Sequence, residues 1–131
     1  AAPTGDSRLF VVERAGLIKI VKDGVVAPRP FLDLTGLVDT FGSERGMLGL
    51  VFHPQFATNR QFFVNYVEMD GRIRIARYTA SASDPDVADV SSRKNIRGIP
   101  HPGFQHYGGM MQFLPDGTLL VSVGDAGSGN T

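Results

Sequence analysis

No cysteine occurs in the 131-residue chain, which excludes a disulfide framework and any thiolate-based metal or redox site. That absence leaves the compartment open. Net charge is missing too, because 13 lysines and arginines balance 13 aspartates and glutamates. A neutral chain without a basic stripe offers no electrostatic footprint for nucleic acid. No apolar run approaches the ~18 residues that a membrane span needs. No charged-then-apolar leader opens the sequence, so any export signal is expected to have been removed or to lie outside it. Helical periodicity is nearly absent as well.

What the chain has in quantity is turn residues and strand formers. Sixteen glycines and eight prolines accompany a 42% hydrophobic content, the composition of many short strands joined by tight turns. Residues 8–14 (RLFVVER) and 17–22 (LIKIVK) flank Ala15-Gly16 and read as a hairpin. Residues 47–53 (MLGLVFH) and 61–68 (QFFVNYVE) are two more strands, separated by a proline-containing turn. Residues 72–79 (RIRIARYT) alternate charged and apolar side chains, the period of a half-buried strand. Residues 109–114 and 118–123 form a further pair around Pro115-Asp116-Gly117, a strong turn signal. Between Ala80 and Pro102 the chain turns polar (SASDPDVADVSSRKN), and this stretch reads as a long surface connection.

Three stretches repeat one pattern: residues 3–12 (PTGDSRLFVV), 54–64 (PQFATNRQFFV) and 115–121 (PDGTLLV). Each is a proline, a polar turn, and a strand of large apolar residues ending in valine. Repeats of roughly 40–50 residues with about four strands each are the signature of propeller blades. A two-sheet sandwich would also produce short strands at regular turns; the repeat favours the propeller. The expected fold is therefore all-β, a partial propeller of about two blades, with blade-like repeats near 1–50 and 51–110 and an incomplete one over 111–131. A propeller closes with four blades or more, so the chain is expected to be a fragment, or to need further blades or another chain over its edges. Residues 128–131 (SGNT) read as a loop.

Two motifs carry a resemblance: GSERGMLGLVFHPQF over residues 42–56 and HYGGMMQFLPDGTLLVSVGD over 106–125. Both resemble the glucose/sorbosone dehydrogenase family, six-bladed propellers that include soluble enzymes using pyrroloquinoline quinone (PQQ). RLFVVERAG at 8–16 and FLDL at 31–34 fit in the same order. Three positions depart from the usual pattern: Gln105 before the histidine, Tyr107 after it, and Leu114 where glycine is usual. The resemblance implies an oxidoreductase acting on the C1 hydroxyl of an aldose, with PQQ as hydride acceptor and calcium bound in the full-length protein. It also implies a periplasmic or secreted location. Basic residues and calcium ligands that hold the quinone come from later blades in that family, so the chain alone is expected to bind no PQQ and to turn over no sugar. The other readings are a non-catalytic propeller that binds carbohydrate or protein, and a hydrolytic propeller built on a central metal cluster.

Oxidising an anomeric carbon requires a group that takes the hydroxyl proton, and neutral imidazole suits that task. His106 lies in a glycine-rich loop just before a strand, where Gly108 and Gly109 would let a ligand approach closely. A hairpin turning near Pro115-Asp116 would bring Asp125 back beside it, as an orienting carboxylate. Taken without the motif, His106 is a hydrogen-bonded loop histidine and Asp125 a turn cap. With the resemblance, His106 is the general base and Asp125 its partner, and Glu44 and Gln105 are substrate-binding residues. Without it, Glu44 is an exposed carboxylate or an ion-pair partner of Arg45. His53 reads as structural, at a turn, and His101 as a loop residue between Pro100 and Pro102. Asp84, Asp86 and Asp89 lack the glycine and closing glutamate of a calcium-binding EF-hand loop and read as solvated. No metal site is expected here. Gly127-Ser128-Gly129 has no Lys-Ser/Thr after it, so it is no phosphate-binding loop.

Overall fold

In the computed structural model, which describes residues 2–127, three antiparallel sheets follow one another along the chain. The first contains β1 (Leu9–Glu13), β2 (Leu17–Lys22), β3 (Val25–Val26) and β4 (Leu32–Asp33). The second is a four-stranded meander of β5 (Met47–Phe52), β6 (Gln61–Val67), β7 (Ile73–Ala80) and β8 (Ala88–Ile99). One helical turn, α1 (Phe56–Asn59), joins β5 to β6. The third is the hairpin of β9 (Met111–Phe113) and β10 (Leu119–Val121).

Side-chain pattern explains which faces are buried. In β2 the alternation LIKIVK sends Ile18 and Ile20 inward, while Lys19 stays out and pairs with Glu13 at 2.7 Å. β6 (QFFVNYV) does not alternate, and every residue after its first is buried. The reason is two-sided packing. Phe62, Val64 and Tyr66 enter a core shared with Ile18 of β2 and with Phe31 and Leu34 on either side of β4. Phe63 and Val67 enter a second core with Tyr107, Met111 and Leu119 on the hairpin side. The sheets thus stack face to face, with β5–β8 in the middle. The first core is aromatic: Phe31 and Phe62 ring centres lie 5.0 Å apart, Phe10 and Phe52 4.7 Å, and Tyr78 stacks on Phe62 at 5.9 Å. Aromatic groups of this kind dominate core energetics.

One expectation fails here. The polar stretch between Ala80 and Pro102 is not simply a connection, because it contains β8, the longest strand among the described residues. β8 is one edge strand of the meander and most of its side chains are exposed, so it has no reason to alternate. Register shifts between Ile75 and Ala76, and between Arg77 and Thr79, break the ladder further. The loop before it is tied down by charge, since Asp84 meets Arg29 at 2.8 Å and Asp86 meets Arg8 at 2.7 Å. Asp89 accepts the Ser91 amide and hydroxyl. Residues 128–131, including Ser128 and Gly129 of the Gly-Ser-Gly stretch, lie outside the described residues. No helix among the described residues is long and apolar enough to cross a membrane.

Truncating the centre of the aromatic core should be costly. In the protein containing this chain, Phe62→Ala is expected to lose about 3–5 kcal/mol in urea unfolding. Met69→Ala, at a side chain that is 72% exposed, should stay within about 0.5 kcal/mol. Equal losses at both positions would contradict the core described.

Candidate active site

The β9–β10 ladder runs past its named strands. Met111 pairs with Val121, the Ser122 amide donates to the Met110 carbonyl at 2.9 Å, and the Met110 amide donates to the Ser122 hydroxyl at 3.1 Å. Beyond that point the two segments slip out of this register, with Gly108 beside Ser122 and Val123 and His106 beside Gly124. The approach is so close that a Cβ on Gly124 would fall on the His106 carbonyl, and only glycine fits there. The sequence reading of Gly108 and Gly109 needs correcting on the same ground. The space beside them is filled by the chain itself, by the Ser122 carbonyl next to Gly108 and by Leu48 next to Gly109. They admit neighbouring main chain, not a ligand.

The approach of these two segments, together with the loop before β5, brings three of the four expected site residues together. His106 Nδ1 lies 2.7 Å from Asp125 Oδ1, and that oxygen also accepts the Gly127 amide at 2.9 Å. The Glu44 carboxylate accepts the main-chain N–H of His106. Gln105, the fourth, is exposed, and its side chain lies along Gly127 rather than against the imidazole. Both members of the His106–Asp125 pair remain about half exposed. His106 itself has a φ of 59°, a left-handed conformation unusual for a side-chain-bearing residue.

The electrostatics follow from these contacts. The hydrogen bond that Nδ1 donates to Asp125, then the negative charge of Asp125 and, more weakly, that of Glu44, raise the imidazole pKa above the ordinary histidine value. The hydrogen bond to His106, with the Gly127 amide next, holds the Asp125 carboxyl below the ordinary aspartate value. A carboxylate can only accept, so Nδ1 carries a proton, and in the neutral ring Nε2 holds the lone pair. Nε2 has no hydrogen-bond partner among the described residues. The arrangement is an oriented, solvent-facing base.

Several supporting residues carried no signal in the sequence reading. Arg45 does not pair with Glu44. Its guanidinium binds Asp39 at 2.6 Å and donates to the Tyr107 hydroxyl at 2.7 Å. Tyr107 is buried, so this departure from the family pattern belongs to the scaffold and not to the open site. Its hydroxyl donates to the Gly103 carbonyl at 3.0 Å. His101 is buried too, its ring centre 4.0 Å from that of Tyr107 and its Nε2 2.9 Å from the Gln105 carbonyl oxygen. His53 lies in its turn, as expected, with Nδ1 accepting the Gln55 amide at 3.0 Å and its ring against Phe113. No group of three potential metal ligands occurs among the described residues.

The stacked sheets are shared with solved dehydrogenases. A Thermus thermophilus oxidoreductase described as a glucose dehydrogenase superposes with a TM-score of 0.72 at 26% identity, over 93% of this chain and 35% of that one. The PQQ-bound aldose sugar dehydrogenase from Streptomyces coelicolor superposes at 0.79 and 22% identity, over 95% and 37%. The fold is therefore part of a dehydrogenase-type β-propeller, whose closure is not contained in residues 2–127. The chain belongs to the glucose/sorbosone dehydrogenase family, whose model matches residues 1–131. Mouse Hedgehog-interacting protein is also similar, 33% identical over 134 residues that cover 92% of this chain. The chain spans 19% of the length of that relative, and just over a third of each solved structure named here.

Ring-proton NMR titration of His106 in the protein containing this chain should give a midpoint above the ordinary histidine value. Asp125→Asn removes the first cause of the shift and should bring that midpoint down. A titration unmoved by Asp125→Asn would refute the pairing.

Proposed function

We propose that this chain supplies the catalytic base of a quinone-dependent aldose dehydrogenase, a protein that oxidises the C1 hydroxyl of a sugar. The His106–Asp125 pair carries the reading: a fixed Nδ1, an unpartnered Nε2 and an exposed loop, in a chain of a sugar-dehydrogenase family. In this reading Nε2 takes the O1 proton while a hydride, two electrons with it, departs from C1, and the sugar becomes a lactone. Asp125 stabilises the imidazolium that forms and keeps the ring from turning. PQQ, when bound, supplies the two-electron acceptor. The remaining Glu44 oxygen and the Gln105 amide are assigned to sugar hydroxyls.

The residues at hand fit the proton-accepting half of such a site. They do not supply an anion-holding half. PQQ carries carboxylates, whereas both charged side chains touching His106 are acidic, and Arg45 is already committed to Asp39 and Tyr107. We therefore assign the cations and any calcium that hold the quinone to other parts of the full-length protein. In the same proposal the three sheets belong to consecutive blades, β1–β4 to one, β5–β8 to the next and β9–β10 to the start of a third. Further blades complete the ring, and the protein works in the periplasm or outside the cell. A binding module is the second reading, and the similarity to a protein named for interacting with Hedgehog favours it.

Titration of the full-length protein with PQQ and calcium, followed by aldose-dependent dye reduction, separates the two. His106→Ala is expected to lower kcat about 10²–10⁴-fold, the usual contribution of a general base. Because the base must be neutral, kcat/KM should rise as pH passes upward through the raised His106 pKa. In Asp125→Asn that rise should move to lower pH, with a large loss of rate. A protein that ignores PQQ and reduces no dye would be a binding module.

A further inference from the structure

The left-handed backbone of His106, with φ at 59°, is a strained conformation that persists only where its surroundings impose it. We infer that Glu44 is a positioning residue for His106, one jaw of a two-residue clamp in which Glu44 and Arg45 grip His106 and Tyr107. Glu44 receives the His106 main-chain N–H, and Arg45 donates to the Tyr107 hydroxyl. Two consecutive residues of one loop therefore hold two consecutive residues of another, about 60 positions further along the chain.

The clamp has a fixed base. Asp39 binds Arg45 and also accepts the Phe41 amide at 2.8 Å. Arg14, from the turn after β1, donates to the carbonyls of Thr40, Gly42 and Arg45 at 3.0–3.1 Å. A Cβ on Gly46 would collide with Arg14, so the loop lies directly on that residue. Burial reinforces the second jaw, since the Arg45 and Asp39 side chains are 12% and 10% exposed. Leaving such groups unpaired is expensive, so the Arg45–Tyr107 contact resists opening. The first jaw reaches the reacting residue itself. Glu44 thus fixes the peptide from which the imidazole projects, and Asp125 fixes the ring.

The inference rests on the dehydrogenase reading for its kinetic consequence but not for its geometry, and the test separates them. The full-length protein would be studied as wild type, Glu44→Ala and Glu44→Gln. Glutamine keeps an oxygen that accepts the His106 amide and loses only the charge. Glu44→Ala should lower kcat about 10–100-fold, the scale of a small misplacement of a catalytic group, beyond any rise in KM from the lost sugar contact. Glu44→Gln should recover most of that loss. Glu44 and Asp125 are the charged groups facing His106, so Glu44→Gln should also move the acid limb of the pH profile slightly down. Ring ¹⁵N shifts of His106 give a readout free of turnover: the Nδ1-protonated tautomer should dominate in wild type and Glu44→Gln, and should give way to a tautomer mixture in Glu44→Ala. Losses confined to KM and equal in both variants would make Glu44 a sugar ligand only and overturn the inference. Unchanged ring shifts in Glu44→Ala would overturn it too. Absence of turnover in the wild type with the expected ring shifts would reject the dehydrogenase reading and leave the clamp standing.

Discussion

Everything near His106 depends on the middle sheet burying both faces while holding an even number of strands. Four antiparallel strands return the chain to the end of the sheet from which it started, so the segment entering β5 and the segment leaving β8 meet at one end. The β6–β7 turn lies at that end as well. Main-chain contacts confirm the convergence: the Asp39 amide donates to the Val67 carbonyl at 2.8 Å, and the Val67 amide to the Gly46 carbonyl at 2.9 Å. The loop bearing Glu44 and Arg45 and the loop bearing His106 and Tyr107 are thus neighbours because of strand count. Stacking the hairpin against the second face of that sheet then delivers Asp125.

Packing and chemistry share residues at this point. Tyr107 contributes its ring to the core of Phe63, Ile73 and Met111, and its hydroxyl to Arg45. His106, the next residue back, is exposed. One peptide step therefore separates a close-packed interior from a solvent-facing base. An interior of this density resists displacement, and the loop inherits that stiffness without burying the imidazole. Burial would have favoured the neutral ring by desolvation. Exposure with an acidic neighbour does the opposite, and gives a base that is stronger but needs higher pH to be free of its proton.

The strands with apolar periodicity were legible because their side chains report burial directly. The β1–β2 hairpin, β5, β6, β7 and the β9–β10 pair all lie where residue pattern places them, within a few residues at the ends. β8 was not legible, since an exposed edge strand has no face to hide and its sequence carries no period. β3 and β4, two residues each, are shorter than any period. The meeting of His106 with Asp125 could be anticipated from one turn signal, Pro115-Asp116-Gly117, because a hairpin brings the two ends together to within a residue or two of simple counting. The Asp39–Arg45–Tyr107 network could not. Its members belong to loops joined only through the tertiary stacking of sheets, and no local rule relates residue 45 to residue 107.

Two roles for the acidic residues follow from their placement. Asp125 touches the ring and sets its tautomer and basicity, whereas Glu44 touches the main chain and sets where the ring stands. Both leave negative charge beside a base whose proposed substrate is a neutral polyol, rich in hydroxyl donors that carboxylates accept well. The same charge opposes an anionic cofactor at short range unless cations elsewhere offset it. In the proposed enzyme, basic groups must reconcile a quinone bearing carboxylates with this base, and neither charged side chain touching His106 is basic. Arg45, next to Glu44 in sequence, is buried as a structural cation between Asp39 and Tyr107 and is already committed to both.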